Sequence, residues 1–375
     1  MKIAILGLSI TSSWGNGHAT TYRALMRELV ARGHDVTFLE RDVPWYAENR
    51  DLPNPPFGRT ELYYDLDDLT SRFAGTIAAA DFVIVGSYVP EGIAVGDWVL
   101  DSARGLTAFY DIDTPVTLAR LAAGDCEYLH SRQIPRYNLY LSFTGGPVLR
   151  KLEKEWGSPE AHALYCSFDP SLYFPERAPE KWMLGYLGTY GADRQPALER
   201  LLCEPARRTP DKAFIVAGPL YPAEIEWPEN VQRRDHLAPG EHRGFYNSQR
   251  VTLNVTRADM IRAGYSPSVR LFEAAACGTP VISDRWEGIE EFFCPGKEIL
   301  IADSTEDAMR YLAMDSSVLS AIGAAARRRA NRCHTAATRA AELERIASEA
   351  MQTHAGNNKR RAIRVSSVTL GGGAR

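Results

Sequence analysis

The chain is expected to be an α/β protein built from two Rossmann-like domains, each a parallel sheet covered by helices, and three observations predict this. Its 375 residues exceed one ordinary core and suit two domains of middling size. Short β-rich apolar runs alternate with amphipathic stretches, the pattern of a parallel sheet covered by helices. That alternation pauses near 167–175 and then starts again.

The first domain, 1–170, has strand candidates at 2–8, 35–40, 81–87, 107–112 and 139–143. Between the first two, Ala19, Tyr22, Leu25, Met26, Leu29 and Val30 recur at helical spacing. That helix closes at Arg32-Gly33-His34, where glycine accepts a left-handed cap. The proline-rich stretch 44–62 reads as a long loop within this domain, and loops of that length are often binding loops. The second domain, 171–350, has strand candidates at 183–188, 213–218, 251–256, 280–284 and 298–302. Its helices are expected at 195–204, 267–277, 304–313 and 316–332. The tail 354–375, with Asn357-Asn358-Lys359-Arg360-Arg361 and a glycine-rich end, reads as disordered.

Composition excludes several classes. Hydrophobic residues make up 45% and charged residues 24%, the balance of a globular chain. A net charge of −4 offers no global field for nucleic acid or anionic membrane, so an anion needs a local nest of donors. Six scattered cysteines contain no C-x-x-C pair, which speaks against a zinc site or a disulfide framework and for a reducing cytoplasm. The apolar start Met1–Gly7 is too short for a signal peptide or a transmembrane segment.

The densest chemical signal is Gly264–Ile282. Ser266 is read as the N-cap and Pro267 as the first helical residue of a helix ending at Gly278. The free amides of a first helical turn make an anion site, where Ser266, Ser268 and Arg270 can grip a diphosphate. Glu273, further in, can accept two hydrogen bonds from neighbouring hydroxyls such as those of a ribose. The competing reading is a capped structural helix with Glu273 in an ion pair. A second site, Leu187-Gly188-Thr189-Tyr190-Gly191-Ala192-Asp193-Arg194, follows a strand directly. Its glycines admit close backbone approach, and Arg194 can fork onto phosphate oxygens or stay an exposed helix-start residue. Gly218, at the next strand end, is placed in the nucleoside pocket.

In the first domain, Gly15, Gly17 and His18 precede the first helix. The loop is longer than the tight G-x-G-x-x-G turn of a dinucleotide site, so NAD is disfavoured. His18 can act as a general base or a sugar contact, or simply start the helix. Asp111 and Asp113 end a strand, where ligands gather in open α/β sheets; a plain Asp-Thr-Pro turn is the alternative. His236 and His242 are taken as structural.

The segment Ser268–Ile282, with Asp284-Arg285-Trp286-Glu287-Gly288 and Pro295-Gly296-Lys297-Glu298, resembles the donor-nucleotide motif of GT-B glycosyltransferases, in particular the group related to spore-maturation protein CgeB. Phe168-Asp169-Pro170-Ser171-Leu172-Tyr173-Phe174-Pro175 resembles their interdomain linker. The resemblance spans most of 1–345. It implies that Glu273 holds the donor ribose, that the preceding helix start holds its phosphates, and that Arg194 neutralises the leaving diphosphate. It also implies that the two domains face each other across a cleft and that the Gly15–Gly17 loop faces sugar and acceptor. Many retaining relatives carry two glutamates eight positions apart, and Tyr265 stands at the place of the first. Asp111-Ile112-Asp113 matches the metal-binding D-x-D of the GT-A fold, but the downstream nucleotide elements belong to GT-B, so no metal is expected. His18, Asp111 and Asp113 become catalytic-base or acceptor-contact candidates.

The expected function is transfer of a sugar from a nucleoside-diphosphate donor to a hydroxyl acceptor, with no cofactor beyond the nucleotide sugar. The acceptor is expected to be a glycan, a lipid-linked molecule or a small molecule rather than nucleic acid. A nucleotide-sugar epimerase of the same fold and a non-catalytic binding module are the alternatives.

Overall fold

The computed structural model describes residues 1–15 and 17–369, with side chains through Thr353. Strands β1 (Lys2–Gly7), β2 (Asp35–Arg41), β3 (Arg59–Tyr63), β4 (Phe82–Gly86), β5 (Leu106–Asp111), β6 (Leu139–Ser142) and β7 (Ala161–Ala163) form the first sheet. Its order is 3-2-1-4-5-6-7, and every pairing is parallel. Strands β8 (Trp182–Leu187), β9 (Phe214–Ala217), β10 (Val231–Arg234), β11 (Gln249–Asn254), β12 (Val281–Ser283) and β13 (Leu300–Ile301) form the second. Its order is 10-9-8-11-12-13, again parallel throughout.

The central strands follow from composition. Residues 3–7 of β1 and all of β4 are buried, because helices cover both faces of a parallel sheet. Strand order reverses between β1 and β4 in one sheet and between β8 and β11 in the other. Ligand crevices open at the carboxyl ends of strands flanking such a reversal.

Three strands fall outside the sequence reading: β3, β7 and β10. Each is an edge strand, and β3 lies partly in the stretch expected to be loop. Edge strands such as Arg59-Thr60-Glu61-Leu62-Tyr63 and Val231-Gln232-Arg233-Arg234 need bury little, so their apolar signal is weak. The stretch 44–62 also holds a short helix, Pro44–Ala47.

The chain crosses between domains twice, side by side. Phe168 pairs with Thr335, and the Ala336 amide donates to the Phe168 carbonyl at 2.9 Å. Beyond that point the helix Ala336–Thr369 returns to the first domain, where Glu344 pairs with Arg32 and His34. Leu343, Ile346 and Ala347 join an apolar cluster containing Ile5 and Leu25. Residues 336–350, assigned from sequence to the second domain, therefore pack on the first. The tail expected to be disordered from 354 continues this helix to Thr369, since extending a helix costs far less than starting one. The rest of that segment, 370–375, lies outside the described residues.

Candidate active site

Two adjoining cavities of about 420 and 230 Å³ occupy the interdomain cleft. Gly15, Gly17, Thr189, Arg194, Arg257, Val269 and Arg270 line both, which makes them one continuous site. His18, Asp113, Ser266 and Ser268 line the larger; Gly188, Gly218 and Glu273 line the smaller.

The second domain supplies cations and unused amides. The helix Val269–Ala276 starts at Ser268, and no side chain caps it. This corrects the expected start: Ser266 is not the N-cap and Pro267 is not helical. The Ser266 hydroxyl is already engaged, donating to the Gly264 carbonyl at 3.0 Å and sharing a 2.6 Å hydrogen bond with Thr144 of the first domain. The uncapped amides of the first turn retain their capacity for an anion. Arg270 is anchored by the Leu187 carbonyl and by Asn254 Oδ1 at 2.8 Å. Asn254, fully buried, also accepts from the Ser268 hydroxyl at 2.7 Å, so one amide orients both residues.

Arg194 is 9% exposed and donates to the Thr189 carbonyl. Its Nε has no hydrogen-bond partner among the described residues. Burial, and after it the charges of Arg270 and Arg257, lower its pKa. A buried guanidinium with spare donors and cationic neighbours is stabilised by an anion. Arg257, which sequence reading passed over, completes the group. It sits just beyond β11, and its surroundings become visible only once that strand end is placed beside β8.

The glycine loops meet closely. A β-carbon on Gly218, whose φ is +139°, would lie 2.0 Å from the Gly188 carbonyl oxygen, and one on Gly188 would lie 2.8 Å from Arg270 Nη2. Any side chain there would displace the guanidinium.

Glu273 is 3% exposed and accepts from Tyr246 Oη at 3.0 Å. Burial first and Glu273 next push the Tyr246 phenol well above its ordinary pKa, so it stays a donor. His242 approaches Glu273 at 3.9 Å and donates through Nε2 to the Leu237 carbonyl at 3.1 Å. Its Nδ1 faces Tyr173 Oη at 3.2 Å. His236 and His242, read from sequence as structural, both line the smaller cavity. His236 also packs against Trp14 of the first domain, ring centroids 4.3 Å apart.

The first domain holds its loops with carboxylates. Buried Glu40 accepts from the Ser9 hydroxyl (2.9 Å), the Ile10 amide (2.7 Å), the Thr11 amide (3.0 Å) and the Thr11 hydroxyl (2.6 Å). Asp51 accepts both Arg23 Nη donors at 2.8 Å and both Ser13 donors. Partial burial pushes the Asp51 pKa up, but Arg23 and Ser13 outweigh it and hold the carboxyl at about 2. The stretch 44–62 is thus tied through Asp51 to Ser13 and Arg23.

Asp111 and Asp113 separate. Asp111 is fully buried and lines neither cavity; it accepts from Tyr140 Oη at 2.5 Å and Thr117 Oγ1 at 2.8 Å. Burial pushes its pKa up to about 6. The structure therefore makes Asp111 a positioning group rather than a catalytic candidate, because both carboxylate oxygens are taken up inside the domain. Asp113 turns into the cleft, accepts from Tyr88 Oη at 3.0 Å and lies 3.7 Å from Arg257 Nη1. Tyr88 adopts a positive φ of 65°, a strained geometry for a tyrosine that brings its hydroxyl to Asp113. His18 begins the helix His18–Ala31 and packs on the Tyr88 ring, centroids 5.7 Å apart. Burial pushes its pKa down to about 4 against the upward pull of Asp113, so the imidazole is neutral near pH 7.

Tyr265 lines neither cavity. Its ring lies between Gly146 of the first domain and Gly288 of the second; a β-carbon on either would meet it at 2.3 Å. Its carbonyl accepts from the Gly145 amide at 3.0 Å.

Residues 194–345 match the family described as glycosyl transferase-like. No curated protein matches the chain by sequence. Among solved structures, Anabaena Alr3699/HepE, determined with UDP and glucose, covers 93% of this chain and 100% of its own at 13% identity, with a TM-score of 0.69. Sucrose-phosphate synthase from Thermosynechococcus elongatus covers 93% and 98% at 14% identity, with a TM-score of 0.65. An alpha-glucosyltransferase in complex with UDP-glucose and DNA containing an abasic site covers 93% and 99% at 14% identity, with a TM-score of 0.67. The chain has the GT-B fold of these structures.

Proposed function

We propose that this protein transfers a sugar from a nucleoside-diphosphate sugar to a hydroxyl acceptor bound in the cleft. The observation that carries the reading is the convergence of Arg194, Arg257 and Arg270 on an uncapped helix start, with Glu273 and Tyr246 one step beyond. Placed there, a diphosphate meets three guanidiniums and free amides, and the ribose hydroxyls meet the Glu273 carboxylate. The three cations stabilise charge on the departing diphosphate, so the mechanism requires no metal. Asp113 and neutral His18 face this group from the other domain and are the candidates to take the acceptor proton. The motif around Ser268–Ile282 supports kinship with the CgeB-related group.

UDP is the first nucleotide to test, because HepE and the alpha-glucosyltransferase are both recorded with it. The acceptor is a hydroxyl of a glycan, a lipid-linked molecule or a small molecule. The alpha-glucosyltransferase complexes with DNA add modified nucleic acid to the panel. No helix among the described residues is long and apolar enough to cross a membrane.

The test is a thermal-shift screen against UDP, GDP, dTDP, CDP, ADP and NAD, with and without magnesium. A magnesium-independent shift with one nucleoside diphosphate, lost in Glu273→Ala, is expected; saturation at a hundredfold over Kd adds about 2.7 kcal/mol. A shift with NAD alone, or with none of these, sinks the reading. Product from donor without acceptor would instead identify an epimerase.

A further inference from the structure

We propose that Arg257 is shared between Asp113 and the donor diphosphate, so that donor binding releases Asp113 to engage the acceptor. This rests on the glycosyl-transfer reading above and adds a coupling between its two substrates. Arg257 and Asp113 come from opposite domains, at the carboxyl ends of β11 and β5, and their charged atoms stand 3.7 Å apart across the cleft.

The three cleft arginines are held unequally. Arg270 is fixed by the Leu187 carbonyl and Asn254, and Arg194 by the Thr189 carbonyl, all within their own domain. The Arg257 side chain is 43% exposed, and its charged partner among the described residues is Asp113, in the other domain. Asp113 is held better: its side chain is 14% exposed, and Tyr88 Oη donates to it at 3.0 Å. In an exchange of partners, Arg257 is the member free to move.

A diphosphate seated between Arg194 and Arg270 carries more charge than a carboxylate and offers several acceptor oxygens to one guanidinium fork. It therefore draws Arg257 away from Asp113. Asp113 keeps its hydrogen bond from Tyr88, loses its cation, and becomes the stronger acceptor beside His18. An acceptor that arrives before the donor meets Asp113 already neutralised. By linkage, whatever the Asp113–Arg257 pair is worth is subtracted from donor affinity.

The experiment is calorimetric titration of UDP into the wild-type chain, Asp113→Asn, Arg257→Ala and the double variant, with transfer measured in parallel. Asp113→Asn is expected to bind UDP about two- to fivefold more tightly, the worth of a partly exposed ion pair, while transfer slows. Arg257→Ala is expected to bind more weakly, and adding Asp113→Asn to it should leave affinity where it was. Tightening of this kind is not what a merely structural defect produces. Equal or weaker binding by Asp113→Asn, with the wild-type chain still binding UDP, overturns the coupling and leaves the glycosyl-transfer reading intact. Failure of the wild-type chain to bind any of the nucleoside diphosphates overturns both.

Discussion

The two domains share a parallel-sheet architecture yet present opposite charge to the cleft between them. In the first, carboxylates pin the loops: Glu40 holds Ser9, Ile10 and Thr11, Asp51 holds Ser13 and Arg23, Asp111 holds the turn after β5, and Asp113 reaches the cavity. In the second, Asp284 and Asp193 likewise pin the loop after β11, but carbonyls and a neutral amide hold Arg194 and Arg270, whose guanidiniums face the cavity. On the proposed function the two sides meet different ligands: cations oriented by neutral groups keep their charge for the diphosphate, and Asp113 with His18 meets the hydroxyl.

This contrast can be broken from the cationic side first. Arg194→Ala removes a buried donor from the cavity lining and, on the proposed function, is expected to lower kcat/KM about a hundredfold or more, in line with the loss of one charge-stabilising donor. Steady-state kinetics with the identified donor would check it; a loss under about threefold would mean that Arg194 does not meet the phosphates. On the proposed function, in which Glu273 meets the ribose, Glu273→Gln should weaken the donor about tenfold with a smaller change in kcat. A kcat loss larger than the loss of affinity would place Glu273 at the chemistry instead.

On the acidic side, Asp111→Ala takes the acceptor from the buried Tyr140 hydroxyl, while Thr117 keeps Tyr128 Oη at 2.8 Å. A cost of about 1–3 kcal/mol in stability is expected, read by denaturant unfolding. Asp113→Ala should cost far less stability and more transfer. If the two variants behave alike, the separation of the two acids is wrong.

The smallest effect is a pH dependence. His18 has a folded pKa lowered to about 4, below the 6.5 of an exposed histidine. The unfolded chain therefore takes up its proton first as pH falls. The stability that neutral His18 contributes is complete above about pH 6.5 and declines as pH falls through about 4. Tm measured across that window should fall less steeply in His18→Gln; an unchanged slope would show that burial does not govern this imidazole.

Particular residues show how far the sequence reading reached. The strands at 2–8, 81–87, 107–112 and 251–256 were legible because each is a buried central run whose apolar content admits no other reading. Gly188, Thr189, Arg194, Gly218, Ser268, Arg270 and Glu273, picked out from sequence because they follow strand ends or lie near a helix start, all line the cleft. Asp111 and Asp113 were not separable. They lie two apart at a strand end, and the last paired residue of β5 faces inward while the second leaves the sheet.

The sequence by itself determined the central strands of the two sheets, their parallel sense and a helix within 267–277, because local periodicity depends on neighbours within a few residues. Only the tertiary structure decided that Ser266 bonds Thr144 instead of capping its helix, that Tyr265 packs between glycines of both domains, and that Arg257 stands against Asp113. Each of these depends on how the two domains meet. The partners in opposite domains are more than a hundred positions apart and leave no mark on the spacing of either.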